Sequence, residues 1–146
     1  MSKFGTIAYH VCRLALAVIF IYAGMIKADD VVGFAGQIAN YRILPYAWNY
    51  LVAATLPYLE LLCGILLLLD KRVRPALLVL FVLNLVFIAV LTSAILRGFD
   101  IDCGCFRPNS EHPSPPQAAL IRDIGFGVLM IVTWLLRSVQ VRKEVE

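Results

Sequence analysis

The residues best suited to chemistry in this chain are two thiols separated by one glycine, in the run Asp102-Cys103-Gly104-Cys105-Phe106-Arg107. Cysteines this close can join only if the backbone bends, because an extended chain holds their Cα atoms near the upper limit for a disulfide, about 6.8 Å. Gly104 permits the bend. A bridge across a single residue removes almost no loop entropy and so adds little stability. A strained bridge is, however, more oxidising and readily handed to another protein's thiols. The pair therefore has the character of a reversible dithiol-disulfide centre. A competing chemistry uses the same sulfurs, since two adjacent soft ligands suit monovalent copper or mercury. Neighbouring charge is mixed: Arg97 and Arg107 favour thiolate, and Asp100 and Asp102 oppose it.

A second group of candidates consists of charges set in apolar surroundings. Glu60 lies inside a hydrophobic run, between Pro57 and Cys63, where a charge costs several kcal/mol unless it is paired or faces a cavity. At a rise of 1.5 Å per residue, Arg13 falls at a comparable depth, so an Arg13–Glu60 pair is expected, either fixing helix register or handling protons. Lys27, Arg97, Arg122 and Asp123 fall at helix ends and form a polar collar, which either anchors a loop or receives a quinone head group or a partner protein. Arg122 and Asp123, about 100° apart on a helix, are expected to reach different neighbours. These six residues make up the candidate proton or cofactor site. Cys12 and Cys63 share a depth and define a second potential thiol pair, although free cysteine is commonly a small buried hydrophobe. His10 and His112 lack a second ligand at metal-binding spacing, so no metal site is assigned.

The elements that must position these groups are set by composition. Of 146 residues, 61% are hydrophobic and 16% charged, beyond the apolar share of a soluble domain, roughly half. Apolar runs over about 4–26, 48–69, 75–96 and 118–136 each reach the roughly 20 residues needed to cross a bilayer. The expected fold is all-α: a single integral membrane domain over 1–146, a four-helix transmembrane bundle with a structured extracytoplasmic loop over 97–117 carrying Pro108, Pro113, Pro115 and Pro116. The first run exceeds a signal-peptide core of about 7–15 residues and lacks a clear cleavage site, so it is expected to be retained. Val31, Val32, Phe34, Ile38, Ile43 and Leu44 suggest a short interfacial helix ending at Pro45. Tyr41, Tyr46, Trp48 and Tyr50 resemble a membrane-boundary aromatic belt.

Lys3, Lys71, Arg72, Arg74, Arg137, Arg142 and Lys143 fall on one side, seven in all, against five on the other (Lys27, Arg42, Arg97, Arg107, Arg122) diluted by acids. Positive residues favour the cytoplasmic side. Both termini are thus expected in the cytoplasm of a bacterial-type inner membrane, with the cysteine pair outside, where disulfides persist. The basic tail from Arg137 to Lys143 suits a membrane surface better than nucleic acid.

Several of these residues also carry a family resemblance. Tyr22-Ala23-Gly24 with Lys27, Tyr41-Arg42-Ile43-Leu44-Pro45, Leu56-Pro57 with Glu60 and Gly64, the Asp102–Phe106 segment and Arg122 resemble the MauE branch of the DoxX-like membrane proteins. The family usually continues the cysteine segment with glycine, where this chain has Arg107. The resemblance implies thiol redox outside the cytoplasm and a part in forming or transferring disulfides in exported proteins. A thioredoxin-like or disulfide-containing protein is the implied partner. In architecture the chain is also similar to quinone-coupled enzymes of the DsbB and vitamin K epoxide reductase type, which makes quinone the candidate cofactor by analogy of fold. Three functions are weighed: a thiol-disulfide oxidoreductase, a soft-metal binding or transport protein, and a non-catalytic anchor of a redox complex.

Overall fold

The computed structural model describes residues 3–98 and 116–145. Five helices follow one another: α1 Lys3–Asp29, α2 Val31–Asn40, α3 Tyr46–Leu68, α4 Val73–Leu96 and α5 Pro116–Val145. Helices α1, α3, α4 and α5 are long and apolar enough to cross a membrane; the short helix expected after the first span is α2, but it ends at Asn40 and not at Pro45, because the chain turns left-handed at Arg42 (φ 51°) and leaves Ile43 and Leu44 outside it. The outward faces confirm the solvent for which they are built. Phe4, Val18, Leu62, Leu85 and Leu135 are all exposed, an arrangement that lipid tolerates and water does not. The chain is a multi-pass membrane protein.

α1 and α5 run past the apolar stretches at their C-terminal ends, because a helix can continue through the headgroup region. α5 passes Leu136 and runs on to Val145, with Arg142 and Lys143 in its last turn, where cations complement the helix dipole. α2 starts on Asp30, whose carboxylate accepts the Gly33 N–H at 2.9 Å, an N-cap of the usual kind. Its Phe34 and Ala35 are buried against Ala53 of α3.

α1 and α3 form the tightest seam. Two glycines permit it, as small residues do at helix contacts in lipid. A Cβ on Gly24 would stand 2.9 Å from the Pro57 carbonyl oxygen, and one on Gly64 would stand 3.1 Å from the Ile21 nitrogen and 3.2 Å from the Ala17 oxygen. Those obstacles are backbone and cannot swing aside. The main core lies alongside, built from Leu16, Ala17, Phe20, Cys63, Leu67, Leu77, Leu80 and Met130. At the α3–α4 turn, Asp70 and Arg72 adopt left-handed backbone, with φ of 56° and 47°.

The seam makes a specific prediction. Gly24→Ala and Gly64→Ala should each destabilise the bundle by about 1–3 kcal/mol through overpacking. Gly125→Ala, which meets nothing within 4 Å, should be neutral or slightly stabilising. Unfolding in mixed micelles, monitored by helical circular dichroism, measures all three.

Candidate functional site

Lys27, in the last turn of α1, donates from Nζ to both Glu60 carboxylate oxygens of α3 at 3.0 Å. Each side chain retains only 5% of its exposure. The meeting follows from helix direction, because each Cα–Cβ bond leans toward its own helix's N-terminus. On antiparallel α1 and α3, Lys27 leans inward while Glu60 leans outward, so the two side chains converge. Aromatic rings close the pocket around the ammonium: Phe34 of α2 and Phe87 of α4 lie with centroids 5.4 and 5.2 Å from Nζ, within cation–π range.

α4 and α5 complete the wall. Asn84, buried in the middle of α4, donates from Nδ2 to the Asp123 main-chain oxygen at 2.8 Å. Gly127 leaves room for it, since a Cβ there would sit 3.1 Å from the Asn84 amide nitrogen. The Asp123 carboxylate is buried and accepts from Arg122 Nε and Nη2, both at 3.2 Å. Lys27, Glu60, Asn84, Arg122 and Asp123 all border one cavity of about 40 Å³. A water needs roughly 10–15 Å³, so the cavity has the size for water and not for a cofactor ring. Two cations and two carboxylates leave no net charge around the cavity, which offsets part of the desolvation cost of holding them inside the bundle. Chemically, the array offers a carboxylate, an ammonium and room for water within one enclosure, the parts of a proton path.

The structure gathers most of the charged residues named from the sequence but pairs four of them differently. Arg13 does not reach Glu60. Its Nη1 donates to the main-chain oxygens of Leu67 and Leu68, at 2.5 and 3.1 Å, and its Nε lies 3.8 Å from Asp70, which also accepts from the Tyr9 hydroxyl at 2.8 Å. The expected pairing assumed helices with flush ends. In fact the end of α3 lies level with Arg13, so α1 extends well beyond it and the register brings Lys27 to Glu60. Arg122 and Asp123 bond to each other, contrary to expectation, because a long guanidinium side chain can curl across 100° of helix surface while a short one cannot. Arg97 caps α4, is exposed and takes no part in the cavity. Cys12 is half-buried and Cys63 is buried in the core; both are free thiols with no bridge between them.

Asp102, Cys103, Gly104, Cys105, Phe106 and Arg107 lie outside the described residues, in the segment joining α4 to α5. The sequence reading missed Asn84, Phe34 and Phe87. Asn84 was detectable by the argument applied to Glu60, as a lone polar residue in an apolar run; the two phenylalanines carry no such mark.

The ion pair yields a stability prediction. Lys27→Met strands a buried carboxylate and should cost about 3–5 kcal/mol, whereas the Lys27→Met/Glu60→Leu double variant should recover most of that loss. Unfolding in micelles compares the two, and a double variant as unstable as the single one would rule out the pairing.

The protein family described as "Methylamine utilisation protein MauE" matches residues 5–136. A curated relative, "Methylamine utilization protein MauE" of Paracoccus denitrificans, is 37% identical over 102 residues, 69% of this chain. The aligned part spans 55% of that relative, so the chain covers about half its length. No solved structure matches.

Proposed function

We propose that this chain, which belongs to the methylamine utilisation protein MauE family, is a membrane thiol-disulfide oxidoreductase acting through Cys103 and Cys105. The observation that carries this reading is the Cys103-Gly104-Cys105 run itself, placed between two membrane-spanning helices and not within either one. A part in methylamine utilisation is carried over from the name of the family and of the Paracoccus denitrificans relative.

In the proposed exchange, one cysteine thiolate attacks a disulfide sulfur of a thioredoxin-like or disulfide-containing protein. An S–S bond forms between the two proteins, and the partner's other sulfur leaves as thiolate. The second cysteine then attacks the mixed bond, which releases the reduced partner and leaves the pair oxidised. The reverse sequence oxidises the partner. Where electrons pass on within the membrane, quinone is the carrier this reading implies: two thiols and one quinone give one disulfide and one hydroquinone.

Orientation follows from charge. Lys3, Lys71, Arg72, Arg74, Arg142 and Lys143 belong to the two chain ends and the α3–α4 turn, which the alternation of the spans puts at one end of the bundle. Basic residues favour the cytoplasm, so both termini are assigned there and the cysteine segment to the oxidising side. The Lys27–Glu60 cavity, near the ends of α1 and α2, then belongs to the outer half of the bundle, as a candidate proton path for thiol chemistry.

Trapping tests the exchange. With Cys103→Ser and Cys105→Ser variants expressed in cells and thiols blocked by alkylation, one variant should accumulate a reductant-sensitive adduct with another protein and the other should not. If neither does, and the wild-type pair is fully alkylated without prior reduction, the oxidoreductase reading fails.

A further inference from the structure

Apart from the charged cavity, α4 and α5 leave an apolar trough of about 230 Å³ between them, nearer their basic ends. Leu77, Leu78 and Phe81 of α4 line one wall, and Ile131, Trp134 and Leu135 of α5 line the other. Leu78, Ile131, Trp134 and Leu135 are exposed, so the trough opens to the surrounding lipid. None of the residues of the charged cavity lines it.

Positive charge lies beyond the trough on both helices. Residues three and four apart share a helix face; Arg74 precedes Leu77 and Leu78 at those spacings, and the stripe Ile131, Leu135 and Ser138 leads to Arg142. Both arginines are exposed, and neither has an ion-pair partner among the described residues. Lys71, Arg72 and Lys143 add to the same end and outnumber its exposed acid Glu144, while Asp70 is already engaged by Tyr9 and Arg13. Arg137 is turned away, its guanidinium 5.8 Å from the Tyr9 ring.

An apolar slot open to lipid, with an exposed guanidinium about one turn beyond it on α4 and another about two turns beyond it on α5, matches the two halves of one molecule. We propose that this trough binds an anionic glycerophospholipid, with one acyl chain between α4 and α5 and its phosphate on Arg74 and Arg142. Guanidinium groups suit phosphate oxygens because they donate in a planar fork, and basic pockets between spanning helices select anionic head groups. A zwitterionic lipid would fill the slot equally well but would bring no net negative charge to the arginine pair. The inference is independent of the thiol chemistry.

Trp134 is a built-in reporter, since the chain has two tryptophans and Trp48→Phe leaves Trp134 alone. That variant is reconstituted in phosphatidylcholine vesicles containing a small, equal mole fraction of brominated phosphatidylglycerol or brominated phosphatidylcholine. The expected result is several-fold stronger quenching of Trp134 by the brominated anionic lipid. Adding Arg74→Gln and Arg142→Gln should reduce that quenching to the phosphatidylcholine level while leaving quenching by brominated phosphatidylcholine unchanged, which shows the trough intact. Equal quenching by the two lipids in the Trp48→Phe protein overturns the proposal without recourse to the charge variants. So does selectivity that survives removal of both arginines.

Discussion

Everything at one end of this bundle depends on burying the Lys27 ammonium against the Glu60 carboxylate. Neither charge is tolerable alone inside a membrane helix, and the bidentate contact at 3.0 Å with both side chains almost fully enclosed turns two liabilities into one neutral unit. The pair also fixes register. It can form only when α1 and α3 are staggered so that Gly24 lies against Pro57 and Gly64 against Ala17 and Ile21, and those glycines in turn let the backbones come close. α2 and α4 add Phe34 and Phe87 over the ammonium, while their own packing rests on Ala53 of α3 and on the main core.

The two ends of the bundle solve the problem of charge differently. Near the end of α1, Lys27, Glu60, Arg122 and Asp123 neutralise one another around a water-sized cavity. At the other end, Arg13 is spent on the last carbonyls of α3 and on Asp70, where a cation meets the negative pole of a helix. The basic residues beyond it are exposed and left to the membrane surface.

Much of this was legible in the sequence because lipid imposes severe rules. The length and apolarity of four runs dictated four spanning helices, and the position of Glu60 dictated that it have a cationic partner. Which cation was not legible, because depth counted from helix ends assumes that the ends are level, and α1 overhangs α3 by more than two turns. The Arg122–Asp123 contact was missed for a related reason: angular spacing of Cα atoms says little about where a long flexible side chain terminates. Asn84 was passed over because an uncharged amide in an apolar run attracts less notice than a carboxylate, although it too must find a partner. The cysteine pair stood out from residue type and spacing alone, which is why the functional proposal rests on sequence chemistry and the structural account on the charged cavity.

The most direct test of the central interaction is a dipolar recoupling measurement by solid-state magnetic resonance in bilayers, with lysine side chains labelled at ¹⁵Nζ and glutamate side chains at ¹³Cδ. The account predicts a strong coupling between a protonated Lys27 ammonium and an ionised Glu60 carboxylate, absent in Lys27→Met. A Lys27 nitrogen with no glutamate carbon within contact distance would contradict it.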